Sequence, residues 1–142
     1  MKKSGEEKMN GTLEKSRTLS ILLVDDSTII QDHINLLLSE IEGIEIVGRA
    51  GTVESAIEEV FSKNPDLIIL DLHLRNENGL EVLAEIREKK MKTMVMVFTN
   101  YPYPSYRKAC FQAGADFFFD KSLEFGEAIR VIADLKNQKN IE

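Results

Sequence analysis

Three short runs of this chain, Ile21–Val24, Leu67–Leu70 and Met94–Phe98, are apolar without a break. A half-buried strand alternates apolar and polar residues, so an unbroken run marks a strand covered on both faces. Ile44–Val47 and Phe117–Phe119 are weaker runs, suited to the flanks of a sheet. Between these runs the apolar period becomes helical. Thr28–Glu40 carries Ile29, Ile30, Ile34 and Leu37 inward behind an N-cap at Ser27, and Val53–Lys63 follows a cap at Thr52. Leu80–Lys89 follows Asn78-Gly79, Pro104 opens a fourth helix that Gly114 closes, and Leu123–Leu135 is the fifth. Five strand–helix units in strict alternation predict an α/β doubly wound domain, a five-stranded parallel sheet with helices on both faces.

The 142 residues suit one such domain over 19–136, with a flexible tail at 1–18 and a C-terminal tail at 137–142. Those last six residues leave no room for an output domain, so the chain reads as a stand-alone unit. Residues 18–142 carry 13 basic and 21 acidic side chains. A surface of that sign repels a phosphate backbone, so no nucleic-acid partner is expected. One cysteine excludes a disulfide framework and fits a reducing compartment. Nothing approaches the roughly 20 apolar residues of a membrane span. Ser4–Asn10 is polar where a signal peptide is apolar. The expectation is a cytoplasmic protein, monomeric or weakly dimeric.

In open parallel sheets, ligands bind beyond the carboxyl ends of the strands, where the strand order reverses. The first strand here ends in Asp25-Asp26, the third in Asp71, the fourth in Thr99 and the fifth at Lys121. A lone Asp after a strand is usually a cap or turn residue. Five such residues on one rim are harder to assign to independent causes. Carboxylates that crowd together must take up protons or hold a cation, and oxygen-only donors with open coordination favour Mg²⁺. A metal beside a carboxylate suits phosphoryl transfer onto Asp, with the metal and Lys121 countering charge and Thr99 donating a hydrogen bond.

The motifs ILLVDDS (21–27), DLIILDLHL (66–74), NGLEVL (78–83), VFTN (97–100) and GADFFFDK (114–121) resemble, in order and spacing, the receiver domains of bacterial two-component response regulators. The resemblance implies a flavodoxin-like fold with strand order 2-1-3-4-5. It implies that Asp71 is the phosphoacceptor, supplied by a histidine kinase or histidine phosphotransfer protein. Asp25, Asp26 and Asp71, with the backbone carbonyl of His73, are implied as the Mg²⁺ site. Thr99 and Lys121 are implied to hold the phosphoryl group, and Thr99 with Phe118 to form the switch. Output is implied at the surface of the fourth helix, fifth strand and fifth helix, by partner control or by passing the phosphoryl group on. In this reading the protein is a signalling module, catalysing only its own phosphorylation and dephosphorylation. Ser122 stands where many receivers have proline, Leu74-Arg75 where Met-Pro is usual, Asn100 where a small residue is preferred, and Phe118 where Tyr is commoner.

Two other classes compete. A phosphorylation-independent receiver-like scaffold would not need the five-residue set. A Mg²⁺-dependent aspartyl-nucleophile phosphatase typically has a second Asp two residues after the first, where this chain has His73. Cys110 reads as core filler, and Tyr101–Pro104 as a proline-set helix entry with tyrosines over the sheet rim. If Thr99 moves to a phosphoryl oxygen, the Phe118 ring is expected to turn inward and fill the vacated volume.

Overall fold

A computed structural model of the chain describes residues 18–141. The tail expected over 1–18 thus lies, except for Thr18, outside the described residues. The strands are β1 (Leu19–Val24), β2 (Ile44–Ala50), β3 (Leu67–Leu70), β4 (Met94–Thr99) and β5 (Phe117–Asp120). The helices are α1 (Thr28–Ser39), α2 (Val53–Lys63), α3 (Leu80–Glu88), α4 (Pro104–Gln112) and α5 (Phe125–Ile141). All sheet pairings are parallel, in the order β2-β1-β3-β4-β5. This is the doubly wound, flavodoxin-like fold that the alternating pattern predicts.

The unbroken apolar runs are explained by the two cores they feed. On one face Leu22, Val24, Ile68, Leu70 and Val97 meet Ala56 and Val60 of α2, Leu83 and Ile86 of α3, and Cys110 of α4. On the other, Ile21, Leu23, Ile69, Met96 and Phe98 meet Ile34 and Leu38 of α1 and Ala128, Ile132 and Leu135 of α5. Successive strand residues serve opposite cores, so every position of β3, and every position of β1 except the half-buried Ser20, is apolar.

Three features differ from expectation. In α1 the buried stripe is Gln31, Ile34 and Leu38, whereas Ile29 is 78% exposed. The buried glutamine explains the rotation, because its Nε2 donates to the carbonyls of Asp25 and Ala50 and clasps the ends of β1 and β2. The last helix starts at Phe125 and runs to Ile141, past the end expected at Leu135 and through most of the expected C-terminal tail. No Gly or Pro follows Leu135 to stop it, and Lys139 Nζ pairs with Asp66 at the amino end of β3. A short antiparallel hairpin, His73–Leu74 against Glu77–Asn78, lies between β3 and α3 and has no counterpart in the sequence reading. Among the described residues, no helix is long and apolar enough to cross a membrane.

Candidate functional site

The sheet brings its strand ends to one rim. Asp71 N–H donates to the Val24 carbonyl and Asp25 N–H to that of Ala50, so the ladders position both carboxylates. Asp25, Asp71 and Thr99 are buried, and Asp26 is half-buried. One oxygen of each of Asp25, Asp26 and Asp71 falls within 4.8 Å of the others. Lys121 arrives from the end of β5, its N–H donating to the Thr99 carbonyl. Its Nζ lies 2.7 Å from Asp25 Oδ2 and 3.2 Å from Asp71 Oδ2.

The remaining oxygens are held mainly by backbone N–H groups. Ser27 donates to Asp25 Oδ1 at 2.9 Å, His73 to Asp71 Oδ1 at 3.1 Å, and Arg75 to Asp26 Oδ2 at 2.8 Å. Burial pushes the Asp71 carboxyl above its ordinary range, against the pull of Lys121 and the His73 N–H, and the charge of Asp25 pushes the same way. For Lys121 burial acts against the ammonium, but the hydrogen bond to Asp25 and the charges of Asp71 and Asp25 outweigh it and raise its pKa.

Among the described residues, Lys121 is the one side-chain cation in contact with this cluster. Three carboxylates against one ammonium leave excess negative charge at a set of oxygen donors. That combination fits a hard divalent cation, whose charge would relieve the repulsion.

Thr99 Oγ1 accepts from Tyr101 N–H at 3.0 Å, which leaves the hydroxyl hydrogen free to be donated elsewhere. Val97 pairs with Phe118 across β4 and β5, so strand alternation puts Thr99 on the face of the sheet that carries Phe118. The Phe118 ring is buried, beneath the Arg107 guanidinium of α4 at 5.6 Å. His73 packs against Tyr101 with ring centroids 4.1 Å apart and the rings tilted by 39°. Cys110 is fully buried with its thiol pushed up to about 11, and Tyr101 and Tyr103 stand exposed. The peptide between Lys121 and Ser122 is trans.

The structure thus brings Asp25, Asp26, Asp71 and Lys121 into one cluster. Sequence reasoning missed two contributors: Gln31 and the Arg75 N–H. Gln31 had a signal, because it shares the 31-34-38 spacing of the stripe that α1 buries. The other acts from a hairpin with no apolar pattern to announce it.

The chain belongs to the family of response regulator receiver domains, whose model matches residues 21–133. Receivers are signalling modules of two-component systems, and phosphorylation on Asp and Mg²⁺ binding at an acidic cluster are typical of them. The chain is similar to the sensory transduction protein LytT of Bacillus cereus, 31% identical over 121 residues, which cover 85% of this chain and 48% of that protein. It is also similar to the nitrate/nitrite response regulator NarL of Escherichia coli, 33% identical over 113 residues, covering 80% and 52%. The chain spans about half the length of the curated relatives it matches. Among solved structures, the response regulator domain of Thermotoga maritima CheB matches with a TM-score of 0.75 at 23% identity, covering 88% of this chain and 98% of that one.

Proposed function

We propose that this receiver accepts a phosphoryl group on Asp71 from a phosphohistidine of a histidine kinase or phosphotransfer protein. An Asp71 carboxylate oxygen attacks phosphorus. The P–O bond forms as the P–N bond breaks, and the electron pair returns to the imidazole. Asp25, Asp26 and Asp71, with the His73 carbonyl, would hold Mg²⁺, which when bound neutralises charge on the phosphoryl oxygens. Lys121 Nζ already touches Asp71 Oδ2, so a small shift brings it onto the transferred group. The Thr99 hydroxyl donates its free hydrogen to a phosphoryl oxygen. In this reading the receiver works in the cytoplasm and catalyses only its own phosphorylation and dephosphorylation.

Output follows from the residues around Thr99 and Phe118. Arg107 of α4 lies over the Phe118 and Phe111 rings and donates to the Phe118 carbonyl, linking β5 to α4. Tyr103, Tyr106 and Phe111 are exposed on or beside α4. A phosphoryl group that draws on Thr99 biases this α4–β5–α5 surface, which either binds a protein partner or returns the group to a second histidine.

The observation that carries the reading is Lys121 bridging Asp25 and Asp71 inside a cluster of three carboxylates. The test is phosphotransfer from a panel of radiolabelled histidine kinases, followed by a chase with phosphotransfer proteins. Label should pass to the wild type with at least one kinase and not to Asp71→Asn. Label passing equally to both proteins would contradict the assignment. In the chase, label that moves on marks a relay, and label that stays marks a terminal messenger.

A further inference from the structure

The short hairpin between β3 and α3 supplies two of the N–H groups that hold the carboxylate cluster. His73 donates to Asp71, and Arg75, at the turn with φ +60°, donates to Asp26. A lone two-stranded hairpin is marginal in water, so something must fix it. Its base is closed by Gly79 N–H on the Leu72 carbonyl at 2.7 Å. Its second strand is fastened by Glu77, whose Oε1 accepts from Val53 N–H at 2.9 Å.

Val53 is the first residue of α2, and its N–H is among those a helix cannot satisfy internally. The capping box serves others: Thr52 Oγ1 accepts from Ser55 N–H, and Ser55 Oγ from Thr52 N–H. Val53 N–H is left for an acceptor from outside the helix, and the positive end of the helix dipole favours a carboxylate there. An exposed glutamate 24 residues further on takes that place.

We infer that Glu77 is a positioning residue for the carboxylate cluster, tying the hairpin to the start of α2 so that the His73 and Arg75 N–H groups hold Asp71 and Asp26. The inference rests on the proposed Mg²⁺ site for its effect on metal affinity, but the positioning itself can be measured without metal. Glu77 touches none of the three carboxylates. Its influence passes through the hairpin backbone.

The experiment compares the full chain as wild type, Glu77→Ala and Glu77→Gln, because the Gln side chain keeps the acceptor and removes the charge. Amide hydrogen exchange at His73 and Arg75 is followed by NMR without metal, and MgCl₂ is then titrated. Glu77→Ala should speed exchange at both amides about tenfold and weaken Mg²⁺ binding about tenfold, as loss of an outer-shell support typically does. Amides of β4 should be unmoved, and Glu77→Gln should stay within about twofold of wild type on both readouts. Unchanged exchange at His73 and Arg75 in Glu77→Ala would overturn the inference, whatever the metal data. Glu77→Gln failing as fully as Glu77→Ala would also overturn it, since charge and not position would then be at work. A wild type that does not saturate with Mg²⁺ would overturn the proposed function instead, and the exchange arm would still decide the positioning.

Discussion

At Asp71 burial and charge act against each other within one side chain. Burial raises its pKa above 3.8, while Lys121 and the His73 N–H favour the ionised form and fall short. Below pH 3.8 the group is protonated in folded and unfolded chains alike and contributes nothing. Above that, the unfolded chain ionises first, so metal-free stability falls with rising pH until the folded value is passed. Asp71→Asn lacks this loss. Urea unfolding in EDTA across the acidic range should therefore show the stability of Asp71→Asn relative to wild type rising above pH 3.8 and then levelling. A difference independent of pH would mean that Asp71 ionises as easily in the fold as outside it. The His73 ring, two residues after Asp71, packs against the Tyr101 ring, two residues after Thr99, and neither offers a carboxylate or amide to orient an attacking water. They should shield an aspartyl phosphate by excluding water. Phosphorylated His73→Asn/Tyr101→Glu, followed by loss of label in excess Mg²⁺, should decay about tenfold faster than wild type. Decay no faster than wild type would refute the shielding.

At the scale of elements, the joint from β3 to α3 is the most constrained. Gly79 sits where a Cβ would come within 2.3 Å of the Asp71 carbonyl oxygen and 3.0 Å of Leu72 Cα. Backbone cannot yield as a flexible side chain can, so Gly79→Ala should cost about 2 kcal/mol or more and displace Asp71. Chemical denaturation measures the first effect and Mg²⁺ titration the second; an alanine variant as stable as wild type would show that the joint can open. The same joint marks where the sequence ceases to be legible. Strands β1, β3 and β4 could be read because burial on both faces demands unbroken apolar runs. Helix α2 could be read to the residue, because Thr52 and Ser55 cap it and Asn64 ends it in the left-handed conformation at φ 47°. The face of α1 could not, since counting apolar residues gives no weight to Gln31, whose burial is carried by two hydrogen bonds to carbonyls. The hairpin could not either, because its stability lies in contacts 24 and 49 residues away in the chain. The clustering of Asp25, Asp26, Asp71 and Lys121 was legible for a topological reason: parallel strands deliver their carboxyl ends to one rim whatever the loops do.

Across the whole molecule, one rim of the sheet carries the carboxylate cluster, and in the proposed reading one flank carries the signal. β1, β3 and β5 deliver three carboxylates and an ammonium, and α4 stands outside with Tyr106, Arg107, Lys108 and Phe111 exposed and only Cys110 buried. A helix held by so few buried side chains is cheap to move, which suits it to report a change at Thr99 and Phe118. All of this depends on Asp71 being the group that takes the phosphoryl. The direct measurement is intact-mass spectrometry after incubation with acetyl phosphate, comparing wild type, Asp71→Asn and Asp26→Ala with Mg²⁺ and with EDTA. Wild type should gain a single phosphoryl group only with Mg²⁺, Asp71→Asn none, and Asp26→Ala should need a higher Mg²⁺ concentration. Undiminished labelling of Asp71→Asn, or labelling of wild type that ignores EDTA, would contradict the account.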